Sequence, residues 1–226
     1  GGTAGTDYHY LFGAFVAGES TDASYFAFGF HKDDQILVGG WSTNWRATNR
    51  KFRDTSAWYH IVLQFDTTQA TADNRIKIYV DGVQETSFSV NANPSQNYEV
   101  AINRTIQHAI SDVAYDQGSG PYPFDGYMAE TYLIDGTIKA PTDFGETDST
   151  TGQWIPKKYD GGSYGTNGFY MPWKKNDRYG TYFDGSTSTG IETADHDDFN
   201  VGSGNFTMEA WIYRDEDAGT TAYVSG

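Results

Sequence analysis

Apolar and polar residues alternate along several short stretches of the chain, which is the pattern of a β-strand with one buried face. In the stretch 58–65, one face carries the apolar side chains Tyr59, Ile61, Leu63 and Phe65. The alternation predicts a strand here.

The clearest alternation runs through residues 75–80, where Ile76, Ile78 and Val80 share a face. The dipeptide Asp81–Gly82 follows at once, and it is typical of a two-residue hairpin turn because both central residues of that turn need a positive φ. Residues 83–90 are therefore predicted to form the return strand.

Other runs rich in aromatic and β-branched residues are bounded by turn residues, so they are also predicted strands. They are 8–16, 24–30, 35–41, 98–102, 126–134, 168–171, 179–184 and 206–213. No window of ten or more residues has a helical period. Many short strands with regular turns predict an all-β chain, built as an antiparallel β-sandwich or jelly roll.

The composition supports this class and excludes several kinds of site. Aromatic residues make up 16% of the chain and Gly contributes 26 of 226 residues, which suits pleated strands and tight turns. With no Cys, the chain has no disulfide, thiolate metal site or Cys nucleophile. No apolar run approaches the length of a membrane span, so no membrane insertion is expected.

The chain has a net charge of −15, and its acidic residues are unevenly distributed. An acidic surface repels phosphate backbones, so no nucleic-acid binding is expected. Residues 179–226 hold nine acidic residues against the single Arg214. Within them Asp195, Asp197 and Asp198 could offer oxygen ligands to Ca²⁺, and the alternative is a solvated acidic loop.

The organisation changes after Pro172. Residues 173–178 are charged and follow a proline, which is typical of a junction. The segment 179–226 that follows has too few strands to form a core alone. It must pack on 1–172, pair with another chain, or belong to a second domain.

Several segments resemble laminin-G-like domains of the concanavalin A-like lectin/glucanase type. Residues 57–63 with 76–83 are similar to the central strand pair of that family, and 124–136 to its closing strand. Residues 182–185 and 199–213 are similar to its opening strands. The resemblance implies a concanavalin A-like jelly roll.

The order of these segments leaves the domain division open. Residues 1–172 look like a domain that lacks its opening strands, and 179–226 look like the opening of a second domain. A window of a tandem array is the favoured interpretation. Alternatively, the last strands complete the first domain, in the same chain or in a neighbouring one.

Glucanases of this fold carry two carboxylates on one strand, in a Glu-x-Asp-x-x-Glu arrangement. The chain has no such motif: Glu130 lies in a predicted strand without a second carboxylate, and Glu209 is alone in its own. The chain is therefore expected not to be an enzyme. His60 is interpreted as a structural residue within its strand.

Trp41, Trp45 and Arg46 are the candidate ligand-binding residues. They lie in or beside the polar stretch 39–53. Exposed Trp faces stack on sugar rings, and Arg donates hydrogen bonds to hydroxyls or carboxylates. In the alternative interpretation, Trp41 packs in the core and Trp45 anchors a loop.

Three segments, 144–146, 152–159 and 164–170, are also similar to structural proteins of tailed, especially marine, phages. This similarity implies a non-catalytic module of a virion, such as a tail fibre or decoration protein. Its expected place is the virion surface or the extracellular space, in a larger homo-oligomeric assembly, and its expected partners are host glycans or other virion proteins. A tandem lectin-like adhesin and, third, a polysaccharide hydrolase are the alternatives.

Overall fold

The computed structural model describes residues 8–113, 122–172, 174–175, 178–179, 181–184, 191–192 and 205–214, and antiparallel strands dominate it. Sheet A contains, from edge to edge, β17 (Ile191–Glu192), β9 (His108–Ile110), β1 (His9–Phe15), β2 (Tyr25–Phe30), β3 (Ile36–Gly39), β4 (Asn44–Thr48) and β8 (Phe88–Asn91). Sheet B contains β13 (Phe169–Met171), β10 (Asp125–Asp135), β18 (Phe206–Arg214), β5 (Trp58–Phe65), β6 (Ile76–Val80) and β7 (Val83–Gln84), and β16 (Thr181–Asp184) also pairs with β10.

The remaining elements are short. Two hairpins pair β11 (Gly145–Thr147) with β12 (Trp154–Pro156) and β14 (Lys174–Lys175) with β15 (Arg178–Tyr179). Single 3₁₀ turns occur at Asp22–Ser24, Ala72–Asn74, Ala101–Asn103 and Pro141–Asp143. Among the described residues, no helix is long and apolar enough to cross a membrane.

The two large sheets pack face to face on one hydrophobic core. Phe26 of sheet A lies edge-on to Phe65 and Phe206 of sheet B, with ring centroids 5.4 and 5.6 Å apart. The apolar faces predicted for 58–65 and 75–80, and the apolar side chains at alternate positions of 206–213, all point into this core. The predicted antiparallel β-sandwich is therefore confirmed.

Strand β18 lies in the middle of sheet B, between β5 and β10, and pairs with both. Its four inward side chains are at most 3% exposed: Phe206, Met208, Ala210 and Ile212. Burial of a large apolar side chain contributes roughly 1.5–3 kcal/mol, so this strand is a main part of the core. β18 is thus paired into the same sheet as the strands of 1–172, and the division of 179–226 from 1–172 stays a prediction. Membership of a longer tandem array stays a prediction.

Two strand predictions are wrong. Residues 98–102 are not a strand, because Ala101 and Ile102 belong to a 3₁₀ turn that buries both side chains in the core. Residues 83–90 are not one return strand either. After the turn at Asp81 and Gly82, whose φ angles are 51° and 79° as predicted, β7 pairs with β6, and the chain then crosses to sheet A as β8.

A cap, defined as residues 137–168, covers part of the outer face of sheet B. Phe144 and Tyr159 of the cap pack with Val62 and Tyr132 of the sheet in a second apolar cluster. The rings of Tyr132 and Phe144 have centroids 5.2 Å apart. Sheet B is thus buried on both faces in this region, whereas the outer face of sheet A carries the cleft described next.

Candidate functional site

A cleft of about 300 Å³ opens on the outer face of sheet A, and we call it the aromatic cleft. It is lined by Tyr8, Tyr10, Tyr25, Gly40, Trp41, Asn44 and Tyr122. Because side chains alternate along a strand, β2 places residues on both faces of sheet A. Phe26 and Phe28 face the core, whereas Tyr25 and Ala27 lie in a separate cluster on the other side of the sheet.

The first wall of the aromatic cleft consists of Tyr8, Tyr10 and Tyr122. The Tyr10 N–H donates to the Tyr122 carbonyl at 2.9 Å, and this bond holds residue 122 beside β1. The rings of Tyr8 and Tyr10 are stacked with centroids 5.6 Å apart, and Tyr122 lies edge-on to both, at 5.4 and 5.5 Å. Three mutually packed rings make this wall rigid.

The second wall consists of Tyr25 and Trp41, and both rings pack on Phe15. Trp41 stacks on Phe15 at a centroid distance of 5.6 Å and meets Tyr25 edge-on at 5.8 Å. Because Trp41 is still 38% exposed, it presents part of its indole to solvent while its neighbours fix the ring.

Asp22 positions the turn that carries Trp41. Its Oδ1 accepts hydrogen bonds from the backbone N–H of Ser42 at 2.6 Å and of Thr43 at 3.0 Å, and from the Ser42 hydroxyl at 3.2 Å. Burial by itself would raise the pKa of Asp22, but these hydrogen bonds outweigh it and the pKa is lowered. A Cβ at Gly40 would lie 2.9 Å from the Cβ of Asp22, so this close approach requires glycine.

Tyr10 and Tyr25, which are 5% and 8% exposed, are buried residues of the cleft lining. Burial raises the pKa of both, and the hydrogen bond between the two hydroxyls acts on each of them. Both groups therefore stay protonated near neutral pH. The aromatic cleft offers rings, hydroxyls and the Asn44 amide, which together suit a ligand with an apolar face and hydroxyl groups.

The structure separates the three predicted ligand-binding residues. Trp41 is exposed, but Trp45 is 3% exposed in the core and Arg46 is 2% exposed. This corrects the grouping of the three into one surface site. The cause is β4, a strand that was not predicted: its register turns Trp45 inward, against Phe65 at 5.9 Å.

Arg46 anchors neighbouring backbone instead. Its guanidinium donates to the carbonyls of Trp45 and Ala92 and to the side chain of Asn93, and it lies 5.3 Å from the centre of the Phe88 ring. Because the Arg46 side chain is buried, its position does not support the predicted contact with a ligand.

Asp195, Asp197 and Asp198, the predicted Ca²⁺ ligands, lie outside the described residues. Within the described ranges, no three His, Asp or Glu side chains are grouped as a metal site would require. Ca²⁺ binding at 195–198 stays a prediction.

A buried polar pair, His60 and Glu209, lies under the cap on the outer face of sheet B. His60 and Glu209 are both 0% exposed, and their Nε2 and Oε1 atoms are 2.9 Å apart, although not aligned as a hydrogen bond. Trp154 of the cap donates its indole N–H to His60 Nδ1 at 2.8 Å, so the neutral ring carries its proton on Nε2. Burial lowers the pKa of His60 to about 3. Burial, with the charge of Glu130, raises the pKa of Glu209 well above its usual value.

Four cleft tyrosines were missed by sequence reasoning: Tyr8, Tyr10, Tyr25 and Tyr122. Tyr25 gave a usable signal, because it alternates with Phe26 in a strand whose other face is apolar. Tyr122 gave none, since it reaches the cleft only through its backbone bond to Tyr10, more than a hundred residues away in the sequence.

Comparison with known families agrees with this architecture. A laminin-G family model, described as concanavalin A-like lectin/glucanases superfamily, matches residues 4–142, which is more than half of the chain. No significant match was found among curated proteins or among solved structures. Membership supports, at most, a carbohydrate-binding or adhesion-type module. The chain belongs to the concanavalin A-like lectin/glucanases superfamily.

Proposed function

We propose that this chain is a non-catalytic carbohydrate-binding module and that the aromatic cleft is its binding site. The observation that carries the proposal is Trp41: an indole 38% exposed, stacked on Phe15, in a turn fixed by Asp22. A large ring held rigidly at the surface loses little conformational entropy when a ligand packs on it.

The chemistry of the aromatic cleft matches a saccharide. The apolar C–H face of a pyranose packs on an aromatic ring, and the Trp41 indole offers such a surface. Around it, the hydroxyls of Tyr8 and Tyr122 and the amide of Asn44 can donate to and accept from sugar hydroxyls. We assign stacking to Trp41 and orientation to these polar groups.

The positions of Glu209 and Glu130 support a non-catalytic role. Glycoside hydrolysis needs two carboxyl groups on either side of the scissile bond. The Glu209 side chain is fully buried beneath Trp154, on the sheet opposite the aromatic cleft, and Glu130 accepts a hydrogen bond from Tyr170. Neither lines the aromatic cleft.

The wider setting that we propose is a virion surface or the extracellular space, with host-surface glycans as ligands and other virion proteins as partners in a homo-oligomeric assembly. The resemblance to phage structural proteins that the sequence of 144–146, 152–159 and 164–170 suggests is the reason for this proposal. These three segments contribute mainly to the cap rather than to the aromatic cleft. The sequence that flanks the 226 residues would test the virion setting: a secretion signal with a cell-wall anchor would favour an adhesin instead.

The binding proposal can be tested on a glycan array, with and without Ca²⁺, using the wild type, Trp41→Ala and Trp58→Ala. Trp58 is a matched control because it is 37% exposed but lies on sheet B. We expect the wild type and Trp58→Ala to bind the same glycans and Trp41→Ala to lose at least tenfold in affinity. Unchanged binding by Trp41→Ala, or no glycan bound by the wild type, would overturn the proposal.

A further inference from the structure

Among the described residues, the lining of the aromatic cleft contains no charged side chain. The seven described lining residues are Tyr, Trp, Asn or Gly. An anionic group of a ligand would therefore lose its water without gaining a cationic partner, whereas a hydroxyl group would find donors and acceptors.

Two carboxylates, Asp33 and Asp112, act electrostatically on the tyrosines of the aromatic cleft. Asp33 raises the pKa of Tyr8, and Asp112 raises that of Tyr25, each as a smaller contribution after burial. Asp112 is 6% exposed, and its Oδ1 accepts the backbone N–H groups of Val113 at 2.8 Å and Tyr122 at 3.2 Å. This carboxylate is built into the cleft wall.

Basic side chains lie near Asp33, but none is among the described residues that line the aromatic cleft. Lys51 donates to the Asp33 carbonyl at 3.0 Å, and Lys32 precedes Asp33 in the sequence. Both act on His31, which touches Tyr8 from outside the lining. Arg104, beyond the Trp41 turn, is paired with Glu19 at 3.2 Å. With a net charge of −15 for the whole chain, the potential in the cleft opposes an anion.

We propose that the aromatic cleft selects neutral saccharides and rejects those that carry carboxylate, sulfate or phosphate groups. This inference rests on the proposed function, because it names the class of saccharide bound at the same site. The rejection has two parts: repulsion by Asp112 and the net negative charge of the chain, which salt screens, and the loss of hydration of the anion, which salt does not restore.

The test uses neutral and acidic probes that differ only at C6. Three pairs are titrated calorimetrically against the full chain: 1,4-linked tetrasaccharides of glucose, mannose and galactose, each with its uronic acid counterpart. We expect at least one neutral member to bind and its uronate to bind at least tenfold more weakly. At 1 M NaCl the difference should narrow but persist.

A charge-inserting variant gives an independent measurement. Asn44→Lys places an ammonium group in the lining, so we expect the ratio of uronate to neutral affinity to rise at least fivefold. Equal binding of a neutral saccharide and its uronate by the wild type, or an unchanged ratio in Asn44→Lys, would overturn the inference and leave the proposed function standing. Failure of all six probes to bind would count against both.

Discussion

Replacing Glu209 by Gln removes the ionisable group of the buried pair and keeps the shape of the side chain. Glu209 is fully buried, and burial raises its pKa well above the ordinary value of 4.5, so the native state favours the protonated carboxyl group. His60 behaves in the opposite sense, because burial lowers its pKa from 6.5 to about 3 and keeps it neutral.

The two groups have opposite effects on the free energy of unfolding. Above pH 4.5 the unfolded chain releases the Glu209 proton and the native chain retains it, so stability from this group falls as pH rises towards the native pKa. Below pH 6.5 the unfolded chain protonates His60 and the native chain does not, so stability from this group falls as pH drops towards 3. Each slope is about 1.4 kcal/mol per pH unit.

The curves of unfolding free energy against pH should therefore differ between the wild type and Glu209→Gln in shape as well as in height. Between pH 4.5 and 6.5 the slopes from these two groups cancel in the wild type, and above pH 6.5 the contribution of the pair to stability declines. In Glu209→Gln only the His60 contribution of the pair remains, and it rises up to pH 6.5 and then stays level. From pH 5 to the native pKa of Glu209 the difference between the variant and the wild type should grow by about 1.4 kcal/mol per pH unit, whatever the fixed cost of the substitution.

Urea unfolding at pH 5, 6, 7 and 8, followed by tryptophan fluorescence, measures this difference. Glu146→Gln is the matched control: it is the same chemical change at an exposed residue of β11, and its curve should run parallel to that of the wild type. A constant difference between Glu209→Gln and the wild type across this range would refute the reasoning, because it would mean that the buried carboxyl group is already ionised in the native state.

The remaining predictions concern the Trp41 turn and the central strand. Gly40→Ala should displace Asp22 and the turn, lowering stability by about 1–3 kcal/mol in urea and weakening saccharide binding at Trp41 in a calorimetric titration; full binding would contradict the role given to the turn. Met208→Ala should cost about 2–5 kcal/mol in urea, because the side chain is 1% exposed in the core, whereas Val83→Ala, at a residue 69% exposed, should change stability by less than about 0.5 kcal/mol. A small loss in Met208→Ala would mean that β18 contributes little to the sandwich.

Strand alternation carried the fold prediction because it depends on local sequence. Ile76, Ile78 and Val80 point into the core as expected, and Asp81–Gly82 forms the expected turn. The prediction failed where apolar residues are buried outside a strand, as in the turn at Ala101 and Ile102. It also failed for 83–90, because this continuous stretch pairs first in sheet B as β7 and then in sheet A as β8.

The aromatic cleft could be predicted only in part. Trp41 and Trp45 lie four residues apart in one polar stretch, and their burial differs because the β4 register directs Trp45 inward. Nothing local to either residue reveals that register. Tyr10, Tyr25 and Tyr122 come together only through sheet pairing and a loop contact, and an outward Tyr has the same local pattern as an inward one.

The proposal that the aromatic cleft binds saccharide is tested most directly by the indole N–H resonances of ¹⁵N-labelled protein. The chain has six Trp residues, so the spectrum contains one indole signal for each. When the best neutral tetrasaccharide is added, the signal of Trp41 should shift progressively to saturation, and those of buried Trp45 and of Trp58 on sheet B should stay in place. Saturable shifts at Trp58 with none at Trp41 would contradict the assignment.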